Sequence, residues 1–523
     1  MGRTKEQKIA ADEEHLNSLG HKQEMTRHFS FLSLLGLAFA ILNSWTALSV
    51  SLSLSLPSGG PSSTIWGLVT AGICNLCLSA SLGEFLSAFP TAGGQFYWVA
   101  YVAPPGPRRF LSYWTGWITV GGWVAMNSTG PLLGSQLVTG LISLMHDDYE
   151  TKRWHVFLLY LAFSTGGFFL NVFANRLLPL VSKGAFYWSM LGFVVVSITI
   201  LACASPNFAT GEYVYSDFEN LTGWPDGFAW LLGLLQGAFG LAAYDSVCHM
   251  IEEIPNAPKQ GPRVMVGAVL IGICTGWIFL SCVLFASGGE NNLMRIINSS
   301  AGALIEVFNI ATKSRPGSVC LTMFPLVCMA FTTISLYTAS SRMTYAFARD
   351  NGLPWSRELA MILPGLNSPV YALCVSWAGV FVFGCVYLGS ESAFNAITSA
   401  AVVWLNLSYA LPVAINVFYG RKCLPDRKFT LPGALGWVFN IVGVCYVSFT
   451  SILFLFPPVD HPSAGQMNYC VVAFAILMVL CLGWWIISAH KTFKGPPVEV
   501  AQSIMRNEIP LDEKAQPQEV KEA

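Results

Sequence analysis

Long apolar runs separated by short polar stretches repeat along nearly the whole chain. A helix needs about 20 apolar residues to cross a bilayer. Runs of that order lie near 31–56, 64–88, 110–143, 155–173, 178–203, 228–251, 263–287, 318–347, 369–388, 393–419, 434–456 and 467–489. In hydrocarbon every backbone N–H and C=O must be satisfied within its own element, so the runs are expected to be helices. The pattern predicts an all-α membrane protein with 12 transmembrane helices.

Two of the runs carry polar residues near mid-span. The first holds Asn43-Ser44-Trp45-Thr46, and the sixth holds Gly237 and Gly240 followed by Tyr244-Asp245-Ser246. They are offset by five spans, an odd number, so the two five-helix halves enter the membrane from opposite sides. Inverted repeats with matched broken helices point to the binding site of a secondary transporter.

Composition sharpens this picture. Of 523 residues, 54% are hydrophobic and 11% charged, against about 25% charged in a soluble domain. A net charge of -1 gives no sign of nucleic-acid binding. The 14 cysteines mostly sit inside apolar runs, as small buried hydrophobes do. Cys74 and Cys77 form C-x-x-C, but no second pair or histidine lies at ligand spacing, so no metal and no cofactor is expected. With a polar first 29 residues, no cleavable signal peptide is expected, and the first run is expected to act as an uncleaved anchor.

Orientation follows from lysine and arginine. With the N-terminus cytoplasmic, 23 of the 28 fall in inside segments and 5 in outside ones. Both termini are therefore expected in the cytoplasm, with charged, disordered tails at 1–29 and 491–523 (Lys5, Lys8 and Lys22 being candidates for modification) flanking a permease domain at 30–490. Within that domain the repeats span about 31–203 and 228–419, with two further helices at 434–489. The topology puts the sequons at Asn220 and Asn298 outside, as glycosylation acceptors, while those at Asn127 and Asn406 fall within spans.

Ionisable groups in spans are expensive and are functional candidates by default. Asp245 either caps the half-helix after the sixth break or faces a substrate cation. Phe239, Gly240 and Tyr244 border the same break, where the aromatics could close over substrate or simply pack. Asn43, Ser44, Trp45 and Thr46 could hold an amine through freed carbonyls and a cation–π contact, or serve as interhelical glue. Trp123 and Asn127 share one helix face at i, i+4, and Thr332, Thr333 and Ser335 give the eighth span a hydroxyl-rich centre. Glu84 and Lys183 are read as ion-pathway or interface residues. His249, Glu252 and Glu253 read as a latch toward nearby basic residues more readily than as a proton relay, and Arg342 is a further ionisable group in a span.

Three runs carry a family resemblance. Ser81-Leu-Gly-Glu84-Phe-Leu-Ser-Ala-Phe-Pro90-Thr-Ala-Gly-Gly-Gln95-Phe-Tyr-Trp98 is similar to the second-span signature of the amino acid–polyamine–organocation superfamily. The stretch from Tyr244-Asp245 through His249 to Glu252-Glu253-Ile-Pro-Asn256-Ala resembles its sixth-span signature, and Ala348-Arg349-Asp350-Asn351-Gly352-Leu353-Pro354 follows its eighth. With Asn43-Ser44-Trp45, Ser58-Gly59-Gly60-Pro61 and Ala103-Pro104-Pro105, residues 25–490 resemble the fungal amino acid/choline transporter branch, which includes choline and GABA permeases. The resemblance implies a LeuT-like 5+5 inverted repeat plus two C-terminal helices, alternating access, and small nitrogenous substrates with a co-transported proton. The usual Gly-rich first break is replaced here by Ile41-Leu42-Asn43-Ser44-Trp45, and Leu241-Ala242-Ala243 precede the aromatic–Asp pair.

The expected function is a cell-membrane permease for choline, GABA or an amino acid, with a small-molecule substrate and the lipid bilayer as partners. A transporter serving a specialised-metabolite pathway and a non-transporting nutrient receptor are the alternatives. An enzyme would need clustered ligands at one membrane depth, which the scattered ionisable groups do not supply.

Overall fold

A computed structural model describes residues 29–389 and 392–496. The expected tails at 1–29 and 491–523 lie largely outside these residues. Among the described residues there are helices and no strands. The helices used below are α1 Phe31–Leu42, α2 Ser44–Val50, α3 Leu56–Ala88, α4 Gln95–Val102, α5 Arg108–Met145, α6 Arg153–Phe173, α7 Leu178–Ala204, α8 Asp226–Gly240 and α9 Ser246–His249. They continue with α10 Ala257–Ala286, α11 Ala303–Thr312, α12 Arg315–Arg349, α13 Val370–Gly389, α14 Ala393–Phe418, α15 Gly433–Leu453 and α16 Cys470–Trp484.

Ten helical segments among the described residues are long and apolar enough to cross a membrane. The two expected runs missing from those ten are informative. Run 110–143 is the 38-residue helix α5, whose buried Thr115, Thr119, Asn127, Ser128, Thr129, Ser135 and Thr139 lower its apolar character. Run 228–251 breaks after the 15-residue α8. Both carry polar groups that face protein rather than lipid.

Helices α3, α5 and α14 are largely enclosed, whereas α6, α7, α13, α15 and α16 present Phe173, Leu180, Ile198, Val382, Ile452 and Val479 outward. That apolar exterior suits a hydrocarbon environment. Close crossings depend on glycine. A Cβ on Gly237 would stand 3.0 Å from the Gly67 carbonyl and Leu68 Cα of α3, so α8 can approach α3 at backbone distance.

Two segments differ from their sequence reading. Residues 90–109, between the second and third expected runs, contain α4, whose Gln95, Phe96, Tyr97 and Trp98 are all fully buried. The last helix continues past 489 through a π-turn at Trp485–Ala489 to Thr492. Phe493 is then buried against Tyr113 and Phe347, so the packed chain extends beyond the expected boundary at 490.

Candidate functional site

The first break lies at Asn43, the single residue between α1 and α2. Its backbone is left-handed (φ 38°, ψ 43°), a conformation that asparagine tolerates better than most non-glycine residues. Asn43 Nδ2 donates to Thr332 Oγ1 at 3.1 Å, and that hydroxyl lies 2.8 Å from the Ala40 carbonyl and 2.9 Å from the Cys328 carbonyl. Asn43 thereby ties the end of α1 to α12. The Thr333 hydroxyl bonds within its own helix, to the Met329 carbonyl.

Trp45 is fully enclosed. Its indole Nε1 donates to Ser189 at 2.8 Å, and its ring packs on Phe193 and Phe279. Its contacts are therefore with α7 and α10. Ser44 and Thr46 are equally buried, but neither hydroxyl has a partner among the described residues.

The second break begins later than the glycines suggested. Gly237 and Gly240 belong to α8, where they meet α3 and Leu48, and unwinding starts at Leu241. Ala243 takes a left-handed φ of 64°. Asp245 does not cap α9, since its side chain makes no capping bond. The capping reading is overturned because stronger donors claim both carboxylate oxygens. Oδ2 accepts from Gln95 Nε2 (2.8 Å) and Trp123 Nε1 (3.2 Å) and lies 3.2 Å from His249 Nε2, while Oδ1 accepts from the Tyr409 hydroxyl (2.6 Å). Asp245 is thus the node joining α4, α5, α9 and α14.

One turn along α5 from Trp123, Asn127 is fully buried with neither amide atom partnered among the described residues. The Tyr244 hydroxyl and Ser246 Oγ are in the same condition. Leaving a buried polar group unmatched costs about 1–3 kcal/mol. Unmatched groups on the two broken segments, with Asn127 one turn from the Asp245 partner Trp123, mark a candidate ligand site. Phe239, at the end of α8, is buried in the apolar core.

Toward the Phe29 end of the bundle, charges are paired. Glu253 meets Arg342 at 3.2 Å, and Arg342 also donates to Asn175 at 2.8 Å. Glu252 meets Arg349 at 3.4 Å and accepts the Ala92 N–H at 2.9 Å. Glu252 and Glu253 thus face arginines of α12, whereas His249 faces Asp245 and the Ala92 carbonyl. Glu84 binds Arg421 at 2.7 Å, Arg427, and the Leu431 N–H at 2.9 Å, which anchors the stretch between α14 and α15. Lys183 is half-buried on α7, beside the point where Gly36 of α1 packs on the Ser182 carbonyl.

The two sequons differ. Asn298 is exposed. Asn220 organises a turn, its Nδ2 donating to the Trp224 carbonyl at 2.7 Å and to Asp226 at 2.9 Å, so that turn must open before the nitrogen is free.

Sequence reasoning passed over Gln95, Tyr409 and Arg349. Gln95 had a local signal in the Gly93-Gly94 pair before it: Gly94 has φ 54°, and a Cβ there would sit 3.4 Å from Cys248 Cβ. Tyr409 lies in an apolar run that gives it no distinguishing pattern.

Comparison with known proteins places these features in context. A family model described as amino acid permease matches residues 29–481. A Macrophomina phaseolina protein that carries a provisional amino acid/polyamine transporter name is 35% identical over 84% of this chain and 97% of its own length. A choline transporter of Saccharomyces cerevisiae is 31% identical over 90% of this chain and 83% of its own length. An amino-acid permease of Arabidopsis thaliana is 31% identical over 92% and 95%.

Proposed function

Because the chain belongs to the amino acid permease family, we propose that it is a secondary transporter carrying a small nitrogenous solute by alternating access, with proton coupling. Choline, GABA and amino acids are the substrate classes. One observation carries the reading: the two helix breaks, at Asn43 and at Leu241–Asp245, are flanked in the chain by the buried unpartnered atoms of Ser44, Thr46, Tyr244 and Ser246, and Asn127 lies one turn along α5 from Trp123, which donates to Asp245.

The electrostatics suit a positively charged nitrogen. Helices α1 and α8 both end at the breaks, and a helix C-terminus carries about half a negative charge. In the orientation given by the lysine and arginine distribution, α1 runs inward-to-middle and α8 outward-to-middle, so both carbonyl ends meet near mid-membrane. Asn43, Ser44, Thr46, Asn127, Gly240 and Tyr244 line this site in our reading. Trp45 and Phe239 shape its walls, and Trp123 and Asp245 close it toward α4.

Twelve spans are counted by adding α5 and the broken α8–α9 segment to the ten apolar ones. An inverted repeat is supported by the packing pattern. Helix α1 packs on α7 as α8 packs on α14, and α1 packs on α10 as α8 packs on α3. Likewise α5 meets α14 as α12 meets α7, while the pairs α3–α10 and α5–α12 map onto themselves. The halves 31–203 and 228–419 then rock about the site, α15 and α16 lie outside the repeat, and both termini face the cytoplasm. Cell-membrane residence, Asn298 glycosylation, and an ion pathway past Thr332, Thr333 and Lys183 complete the proposal.

The test is uptake of radiolabelled choline, GABA and amino acids by cells expressing the chain, with and without a protonophore. Saturable uptake that a protonophore collapses supports the reading. No uptake of any probe at normal surface expression overturns it, and binding without uptake identifies a receptor instead.

A further inference from the structure

Hydrogen-bond counting around Asp245 leads to an assignment for His249. Both side chains are fully buried and lie four residues apart, with Nε2 3.2 Å from Oδ2. The other ring nitrogen, Nδ1, lies 2.9 Å from the Ala92 carbonyl oxygen. A carbonyl can only accept, so Nδ1 carries hydrogen. The remaining contact, Nε2 to Oδ2, also needs a hydrogen between its atoms. Gln95, Trp123 and Tyr409 already donate to the carboxyl group, which favours carboxylate and puts that hydrogen on the imidazole. In either arrangement the pair carries one proton more than a carboxylate beside a neutral histidine, and its net charge is zero.

We propose that the Asp245–His249 pair is the proton-carrying site of the transport cycle, an assignment that rests on the proton coupling proposed above. Loss of that proton to cytoplasmic water leaves the pair with a net charge of -1. It also leaves a lone pair of His249 facing either the Ala92 carbonyl or the Asp245 carboxylate. One of the two contacts must then break. Both belong to a clamp in which Asp245, His249 and Glu252, spaced i, i+4 and i+7, hold the turn before α4 through Gln95, the Ala92 carbonyl and the Ala92 N–H. Deprotonation therefore weakens the hold of the sixth segment on α4, on the side where the latch pairs Glu252–Arg349 and Glu253–Arg342 lie.

The surroundings leave the pair as the place where a proton is exchanged. Among the described residues, Tyr244, Cys248 and Tyr409 are titratable groups that interact with Asp245. On the packed elements, Arg342 and Arg349 of α12 are paired with glutamates, and Lys259 and Arg263 of α10 are exposed.

The experiment uses the full chain in proteoliposomes with labelled choline, GABA and amino acids, under a pH step of one unit at clamped potential. A one-to-one proton symporter then accumulates substrate about tenfold. The proposal expects His249→Gln to lose this accumulation, so that the ratio of concentrative uptake to substrate exchange drops by about tenfold. Accumulation by His249→Gln equal to the unmodified chain overturns the proposal while leaving proton coupling standing. Unmodified protein that transports but ignores the pH step overturns proton coupling and, with it, this assignment. A measurement without mutation guards against misfolding: deuterium exchange at the His249 C2 position in the unmodified chain, followed by mass spectrometry across pH. A titration of His249 that coincides with the pH midpoint of uptake supports the assignment, and a titration far from it overturns it.

Discussion

At the scale of single residues, the two sides of the site have opposite character. Asn43 is held by its backbone and its side chain together, and substitutions separate the two. Asn43→Ala meets a left-handed penalty of about 1–2 kcal/mol as well as losing the bond to Thr332. Asn43→Gly keeps the conformation and loses only the side chain. Thermal unfolding in nanodiscs should show the alanine variant melting below the glycine variant, and equal midpoints would contradict the role of the left-handed turn.

Asp350, just past the end of α12, offers a pH test. Burial raises its carboxyl from 3.8 to about 6, against the opposing pull of Tyr97 and Arg349. A raised carboxyl favours the protonated form in the folded chain. Its stabilising contribution is therefore complete below the ordinary value near 3.8 and is lost as pH rises through about 6. The apparent melting temperature should fall between pH 4 and 7 more steeply for the unmodified chain than for Asp350→Asn. Parallel profiles would contradict this.

At the scale of elements, legibility followed chemistry. The first break was readable because Asn43-Ser44-Trp45-Thr46 interrupts a run of apolar side chains. The sixth was readable only to within a turn, since Gly237 and Gly240 mark close packing on α3 and Leu48 rather than unwinding. Helix α4 was hidden because it is eight residues long and follows a loop-like Pro90-Thr-Ala-Gly-Gly stretch. Its partners, Asp245 and Glu252, are about 150 residues away in sequence, and no local pattern encodes such a contact. The turn before α4 depends on Gly94, whose φ is 54°. Gly94→Ala should lower stability by about 1–2 kcal/mol and loosen the clamp on His249. Faster hydrogen exchange across residues 91–102 with little change elsewhere is the expected outcome, and unchanged exchange there would count against the clamp.

At the scale of the whole molecule, the helical class, most spans and the family were readable from hydropathy and three short motifs. The interior wiring was not. The latch and the Asp245 node depend on which helices the fold brings together. What unites them is an interior where most polar groups are paired, while the unpartnered ones among the described residues include several on the two broken segments and on α5. If those few serve a substrate, they should be dispensable for folding and necessary for transport. Asn127 is the cleanest case, with both amide atoms buried and unpartnered among the described residues. Replacing an unmatched buried amide by an apolar group of similar size is neutral or stabilising to the fold. The decisive measurement is therefore Asn127→Leu, assayed for thermal stability and for uptake of choline, GABA and amino acids. The account predicts an unchanged or raised melting temperature together with a rise of about tenfold or more in KM. A variant as stable as the original that transports with unchanged KM would contradict it.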